Sequence, residues 1–162
     1  MAVELDEIDV KLLTQLQQDA DRTNLELAEL VGLSPAATLH RVRRLKESGA
    51  IRIVSAQVDA AAVGFPLTVF MAVTTANARA TERFERVVQE LPQVVSAETV
   101  AGEMDYWITV VARDVEDLEH TLSRIATHGG GRVITYLRLK QLKPPTPLPL
   151  LPSAQARQRR RG

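Results

Sequence analysis

Apolar residues recur every three or four positions through the first fifty residues, which is the spacing of one face of a helix. A first helix is predicted to begin at Asp6 and to end near Asp19. Its buried side is formed by Ile8, Leu12, Leu13 and Leu16. A second helix begins after Thr23, which forms a T-x-x-E capping box with Glu26, and Gly32 ends it.

The third predicted helix follows the second after a short break, an arrangement typical of a helix-turn-helix. Ser34 caps it, Pro35 suits its first position, and Gly49 marks its end. The buried side is predicted to be Leu39, Val42 and Leu45. The opposite side carries Ala36, Ala37, His40 and Arg44, flanked by Arg41 and Arg43. Small and basic residues on a free helix face suit a DNA groove, although an ordinary solvated face has the same composition.

Beyond residue 50 the pattern changes from helical spacing to alternation. A linking strand is predicted at 51–58, followed by a loop to residue 66. Strands are predicted at 67–74, 94–100, 106–111 and 133–142, with helices before Pro92 and after Asp114. The order βαββαβ predicts a ferredoxin-like fold, in which a four-stranded antiparallel sheet has both helices on one face. The other face would expose apolar residues, so association through it is expected.

Composition narrows the class of protein. The chain has 162 residues, of which 45% are hydrophobic and 25% charged, and it contains no cysteine. No apolar run approaches the roughly 20 residues of a membrane span, and residues 1–9 carry four acids and no base, which excludes a signal peptide. We therefore expect a folded cytoplasmic protein that does not bind membranes. Residues 144–162, with prolines, four arginines and no acid, are predicted to be disordered.

Motifs for catalysis or metal binding are absent from the sequence. His40, His120 and His128 do not share a metal-ligand spacing, and no nucleophile or phosphate-loop motif occurs. No catalytic residue, cofactor or metal site is therefore predicted. The turn at 102–105 does have mixed chemistry, since its amides suit a carboxylate and Asp105 suits an ammonium group. A plain turn is the alternative interpretation.

Several segments resemble one family of transcriptional regulators. The segments are 5–9, 26–28, 31–34, 41–45 and 49–51, and they are similar to the DNA-binding domain of Lrp/AsnC regulators. The βαββαβ region, with its Gly102-x-x-Asp105-Tyr106 turn, looks like the amino-acid-metabolism regulatory domain of that family. The resemblance covers about residues 4–143.

The resemblance implies an α+β chain that binds double-stranded DNA as a homodimer, possibly an octamer, and senses an amino acid at the dimer interface. The implied division is a winged-helix-like helix-turn-helix domain at 1–50, a linker at 51–66, an effector-sensing and oligomerising domain at 67–143 and the tail at 144–162. The implied DNA-contacting residues are Ser34, Pro35, Ala37, Thr38, His40, Arg41 and Arg44. The implied effector-binding residues are Gly102, Glu103, Met104, Asp105 and Thr135.

Departures from the family pattern leave alternatives open. Three glycines at 129–131, Arg138 and the tail are unusual for the family, and the first two bear on which effector is bound. A small ferredoxin-like enzyme and a DNA-compacting protein without an effector are the competing interpretations. The basic tail either contacts phosphates or only improves solubility.

Overall fold

The computed structural model describes residues 3–129 and 131–152, which form two compact units. One unit holds the residues up to Ala56 together with those from Lys143 onward, and the other is Gln57–Leu142. The helices are α1 Glu7–Gln18, α2 Asn24–Val31, α3 Pro35–Glu47, α4 Ala78–Glu90 and α5 Val115–Gly129. The strands are β1 Leu67–Thr74, β2 Val94–Thr99, β3 Tyr106–Ala112 and β4 Arg132–Leu137. None of the described helices is long and apolar enough to cross a bilayer.

Capping side chains define the beginnings of the first three helices, as predicted. Asp6 and Asp9 form a capping box for α1, and Thr23 and Glu26 form one for α2. The Ser34 hydroxyl accepts a hydrogen bond from the Ala37 N–H at 3.3 Å. Gly32 ends α2 with a φ of 72°, a left-handed conformation that glycine adopts without a steric penalty. The sharp turn between α2 and α3 therefore depends on this glycine.

The buried side of α3 differs from the predicted one. Leu39 is 44% exposed, while Thr38 is completely buried beside Val42 and Leu45. The prediction that Leu39 is buried is wrong. Thr38, Val42 and Leu45 have the spacing i, i+4, i+7 and lie on one helix face, just as Leu39, Val42 and Leu45 do. Between these two sets, a pattern of apolar residues favours the one with Leu39. The core of this unit is Leu12, Leu13, Leu27, Val42 and Leu45.

The second unit has the predicted ferredoxin-like topology. Its sheet is antiparallel with the order β2-β3-β1-β4. Alternate residues of the two central strands point to the side of α4 and α5 and form the core with Phe84. These strand residues are Val69, Met71, Val73, Tyr106, Ile108 and Val110. The helices therefore cover one face of the sheet.

The opposite face of the sheet carries three stacked aromatic rings. The centroids of Phe70 and Trp107 are 5.8 Å apart, and those of Trp107 and Tyr136 are also 5.8 Å apart. The rings of Phe70 and Trp107 are half-buried, and Tyr136 is 45% exposed. We refer to Phe70, Trp107 and Tyr136 as the aromatic face.

Two predicted strands differ in the structure. Residues 51–58 form no strand, and Ile53, Val54 and Val58 are exposed. An alternating sequence requires a neighbouring strand for its hydrogen bonds, and no described segment pairs with this one. The last strand ends at Leu137 instead of residue 142, because Leu137 pairs with Val69 and β1 begins only two residues before Val69, at Leu67. The Arg138 N–H still donates to the Thr68 carbonyl at 2.9 Å.

Part of the tail that is predicted to be disordered contacts the first unit. Leu148 is hydrogen-bonded to Gln17, and Leu150 packs against the core of the first unit. Residues 144–152 combine five prolines with Leu148, Leu150 and Leu151, and the prediction gave the prolines more weight than the leucines. Residues 153–162 lie outside the described part of the chain.

Gly131 permits the close approach of β4 to the end of β1. A Cβ atom at this position would lie 1.8 Å from the carbonyl oxygen of Thr74. We expect Gly131→Ala to lower the free energy of unfolding by about 1–3 kcal/mol because the backbone must move. Urea denaturation followed by circular dichroism measures this change. Glu119→Ala, on the exposed side of α5, is the control, and an equal effect of both substitutions would contradict the account.

Candidate nucleic-acid and effector sites

The solvent face of α3 is the candidate nucleic-acid interface. Its exposed residues include Ser34, Pro35, Ala36, Ala37, Leu39, His40 and Arg43. Four of the seven residues predicted to contact DNA, Ser34, Pro35, Ala37 and His40, belong to this set. Thr38 does not, because its side chain is fully buried in this structure.

Arg41 and Arg44, the two remaining predicted DNA contacts, bind carboxylates of α1. Arg41 Nη1 donates to Asp6 Oδ2 at 2.6 Å and to Asp9 Oδ1 at 2.9 Å. Arg44 Nη2 donates to the other Asp9 oxygen, Oδ2. Asp9 is 1% exposed, whereas the Arg44 side chain is 50% exposed. We refer to Asp6, Asp9, Arg41 and Arg44 as the acid–arginine cluster.

The acid–arginine cluster stabilises the packing of α3 against α1. A buried carboxylate is costly unless charged donors satisfy it, and Asp9 has a guanidinium on each oxygen. Partial burial raises the pKa of Asp6, but the backbone N–H of Asp9 and the guanidinium of Arg41 outweigh it and hold that pKa below its usual value. Arg44 was expected to be free of the core, and this expectation is wrong.

Five exposed residues of α3 lie outside the predicted DNA-contacting set, and they are Ala36, Leu39, Arg43, Lys46 and Glu47. Arg43 and Ala36 lie almost opposite the buried side, and Leu39 lies on its flank. A helical wheel centred on Thr38, Val42 and Leu45 places Arg43 on the free face together with Ala36. The sequence signal was the basic side chain of Arg43. A wheel centred on Leu39, Val42 and Leu45 places it beside the free face and not on it.

The predicted effector turn is held to β1 by Asp105. Its carboxylate oxygen Oδ2 accepts from the Thr75 N–H at 2.7 Å and from the Thr75 hydroxyl at 3.2 Å. Its own N–H donates to the Val73 carbonyl at 3.0 Å. The Thr75 hydroxyl also contacts the Thr81 hydroxyl at 2.8 Å. Asp105 thus ties the β2–β3 turn to the connection between β1 and α4.

The other predicted effector residues are not all brought together. Gly102 has a φ of 151°, and it and Glu103 are exposed, while Met104 is half-buried. These residues present one continuous turn. Thr135 lies on β4 opposite Met71, and β1 separates this strand from β3. Thr135 and the turn between β2 and β3 therefore lie on opposite sides of β1 in the sheet.

A cleft of about 250 Å³ between α4 and β2 was not predicted. Phe84, Glu85, Glu98 and Tyr106 are among the residues that line it. The Tyr106 hydroxyl donates to Glu85 Oε1 at 2.6 Å, and burial together with this carboxylate raises the pKa of Tyr106 to about 12. Among the described residues, no three His, Cys, Asp or Glu side chains are grouped so as to hold a metal ion.

Comparison with known proteins decides the family. Residues 5–52 match the model of a winged helix-turn-helix DNA-binding domain, and residues 68–148 match that of the Lrp/AsnC ligand binding domain. The chain belongs to the Lrp/AsnC family of transcriptional regulators. It is 38% identical over 148 residues to the leucine-responsive regulatory protein of Rhizobium meliloti, covering 87% of this chain and 93% of that one.

Other relatives are similar to this chain in sequence and in structure. The regulator AldR of Mycolicibacterium smegmatis is 42% identical over 119 residues, covering 72% of this chain and 70% of that one. A transcriptional regulator from Neisseria meningitidis, solved in complex with L-Met, superposes with a TM-score of 0.83 at 32% identity, covering 90% of this chain and 96% of that one. These relatives confirm the α+β fold and a regulator built from a helix-turn-helix and a ligand-binding domain.

Because of the acid–arginine cluster, we expect substitutions of two adjacent arginines to have different effects on stability. Arg44→Ala removes one of the two guanidinium partners of the buried Asp9, so we expect it to lower the free energy of unfolding by about 1 kcal/mol. Arg43→Ala is the matched control, since Arg43 is exposed and makes no ion pair with another described residue. Thermal denaturation measures both, and equal midpoints for the two variants would contradict this role of Arg44.

Proposed function

We propose that this Lrp/AsnC regulator binds specific sites on double-stranded DNA through α3, as a homodimer whose affinity for DNA responds to an amino acid. The observation that carries the proposal is the solvent face of α3, which follows a left-handed glycine turn and combines small side chains with His40 and Arg43. This is the helix geometry that enters a major groove. A role on DNA also supports the expectation of a cytoplasmic location.

Groove binding by α3 is supported by the size and charge of its exposed side chains. Ala36 and Ala37 at the beginning of the helix allow close approach of the backbone to base edges, and Ser34 and Pro35 stand beside them. Arg43 and His40 can donate hydrogen bonds to bases or phosphates. Half-exposed Arg44 can turn one donor to DNA only in competition with Asp9.

The turn at 102–105 is the site we propose for the amino acid. The solved relative from Neisseria meningitidis was crystallised with L-Met, which supports an α-amino acid as the class of effector. The exposed turn offers backbone N–H groups to a carboxylate. Asp105 Oδ2 is occupied by Thr75, so an ammonium group would contact Oδ1. We keep Glu103, Met104 and Thr135 as candidate contacts of the effector side chain.

The aromatic face supports association between two copies of the chain. Phe70, Trp107 and Tyr136 form a half-buried apolar surface on the side of the sheet that α4 and α5 leave uncovered. The exposed apolar residues of 51–58 add a segment of strand-like sequence that a second copy can pair. A homodimer would cover both features, and an octamer would require a further contact between dimers.

The two alternatives differ from this proposal in testable ways. A small enzyme would need a free reactive group in the cleft, whereas the Tyr106 hydroxyl there is hydrogen-bonded to Glu85 at 2.6 Å. We therefore propose that the protein acts without catalysis. A DNA-compacting protein would bind all sequences alike and ignore amino acids, so specificity and effector response distinguish it.

Substitutions on the two sides of α3 test DNA recognition. We expect His40→Ala and Arg43→Ala each to weaken binding to a selected operator by about 1–3 kcal/mol, roughly 5- to 150-fold, because each removes a contact to base or phosphate. Thr38→Val is the control, since this buried side chain cannot reach DNA. Fluorescence anisotropy with a labelled operator and a scrambled duplex measures the affinities. Unchanged operator affinity in both exposed-residue variants would contradict the proposal.

A change of charge at Asp105 tests the effector site. Asp105→Asn keeps an oxygen that can accept from Thr75 but removes the negative charge, so we expect normal DNA binding and loss of the amino-acid response. The measurement is operator affinity with and without each of the twenty amino acids. Thr75→Val is the control for the structural contact. A full response in Asp105→Asn would exclude this carboxylate from effector binding.

A further inference from the structure

Residues near the end of the described chain are attached to α1. The Leu148 N–H donates to Gln17 Oε1 at 2.7 Å, and the Leu148 carbonyl accepts from Gln17 Nε2 at 3.3 Å. The Leu150 side chain packs against the core of the helix-turn-helix unit, which contains Leu12 and Leu13. Backbone and side-chain contacts therefore both hold this point of the chain. We refer to the Leu148 main chain and the Leu150 side chain as the anchor.

A stretch with neither helix nor strand connects the end of β4 to the anchor. Residues 138–147 are all exposed, and Leu139 and Leu142 among them are 92% and 89% exposed. Positions 144, 145 and 147 are proline, and a proline-rich chain behaves as a semi-rigid, extended spacer. We refer to residues 138–147 as the strap. The half of the strap next to the anchor is therefore stiff.

The strap begins beside the first residues of β1. The Arg138 N–H donates to the Thr68 carbonyl at 2.9 Å, and β1 starts one residue earlier, at Leu67. The other connection between the two units, residues 52–66, enters β1 at Leu67. It leaves the first unit after Ile51, which packs against the same core as Leu150. Two chain segments thus run from one end of the β1–β4 pair to one core.

The opposite end of β1 holds the turn at 102–105, our proposed effector site. Asp105 Oδ2 accepts from the Thr75 N–H at 2.7 Å, and Thr75 directly follows β1. β4 pairs with β1 from Arg132, opposite Thr74, to Leu137, opposite Val69. The β1–β4 pair therefore extends from the turn to the beginning of the strap.

We propose that the strap couples the two units, so that amino-acid binding at the turn changes the affinity for DNA through β4, the strap and the anchor. This proposal rests on the proposed function, in which the turn binds the amino acid and α3 binds DNA. Residues 52–58 of the other connection form neither helix nor strand and contain no proline. That connection is therefore more flexible than the strap and transmits less on its own.

From the anchor, contacts continue through α1 to α3. Gln17 and Asp9 belong to the same helix, and Asp9 accepts from Arg41 and Arg44 of α3. A displacement of the anchor therefore acts on the helix against which α3 is held. Coupling between distant sites is carried by such chains of packed side chains and hydrogen bonds.

The first test lengthens the strap and leaves the anchor intact. About ten Gly and Ser residues are inserted between Pro145 and Thr146 of the full chain, which adds roughly 17 Å of flexible tether. The same insertion after Pro152, beyond the anchor, is the matched control. Fluorescence anisotropy measures the affinity for an operator, a duplex that the unmodified chain selects from a random library. The amino acid used is the one of the twenty that changes this affinity most.

The second test releases the anchor. Gln17→Ala with Leu150→Ser removes both attachments of the strap to the first unit. Gln18→Ala with Leu142→Ser is the matched control, since both side chains are exposed. Thermal denaturation checks that each variant folds. If the released variant unfolds, the lengthened strap decides, because it leaves every folded contact in place.

The measured quantity is the factor by which the amino acid changes operator affinity. In the unmodified chain and in both controls this factor is expected to be typically about 5 to 150. With the strap lengthened or the anchor released, it should fall to about one, the value for two independent sites. Calorimetry should give the same amino-acid dissociation constant in all of these chains, and all should bind the operator. A purely structural role of the anchor would instead lower the melting temperature and leave the factor unchanged.

Failure of the strap is distinguishable from failure of the proposed function. A full amino-acid response with the lengthened strap, or in a folded chain with the anchor released, refutes the strap and leaves the proposed function standing. An equal loss of response with the insertion after Pro152 also refutes it, since that insertion leaves the strap unchanged. An unmodified chain that binds no operator, or that responds to no amino acid, refutes the proposed function and the strap together.

Discussion

The buried carboxylate of Asp9 is the interaction on which the arrangement of the helix-turn-helix unit depends. It accepts from Arg41 and Arg44 of α3, and it also accepts from the N–H of Asp6 in the capping box of α1. One side chain therefore fixes where α1 begins and how α3 packs against it. Because two of the arginines are held in this way, the free face of α3, through which we propose DNA binding, is centred on residues 36, 40 and 43.

The second unit is organised by unequal coverage of its sheet. Both helices pack on the face formed by Val69, Met71 and Val73, so the other face retains Phe70 and its stacked neighbours as a half-buried apolar surface. Asp105 holds the turn at 102–105, our proposed effector site, to the end of β1 on the same sheet. An effector at that turn and a partner on the aromatic face would both contact residues of β1 and β3 or next to them. These two strands would therefore connect effector binding to association between two copies.

Local signals in the sequence predicted most of the fold. Capping residues, the left-handed Gly32 and the change from helical spacing to alternation located the nine elements of the described residues and the ferredoxin-like order. The failures required tertiary information. Thr38 and not Leu39 lies in the core, because a small polar residue also fits a tightly packed helix interface. Hydrophobicity alone predicts that the leucine is buried.

Sites were less predictable than elements because they depend on contacts between distant residues. Arg44 interacts with Asp9 across 35 positions, and Gln17 with Leu148 across 131. Neither pair has a local signature, since a helix arginine looks the same whether it faces solvent or a buried acid. Residues 51–58 show the opposite case, in which a strand-like pattern needs a partner that the described chain does not supply.

The central claim is that DNA binding and amino-acid binding are coupled in one molecule, and reciprocity tests it most directly. Calorimetry of the cognate amino acid is performed on the protein alone and on the protein saturated with its operator. Linkage predicts that the operator changes the dissociation constant of the amino acid by the same factor by which the amino acid changes that of the operator, typically about 5- to 150-fold. An amino-acid affinity that is identical with and without operator would contradict the account.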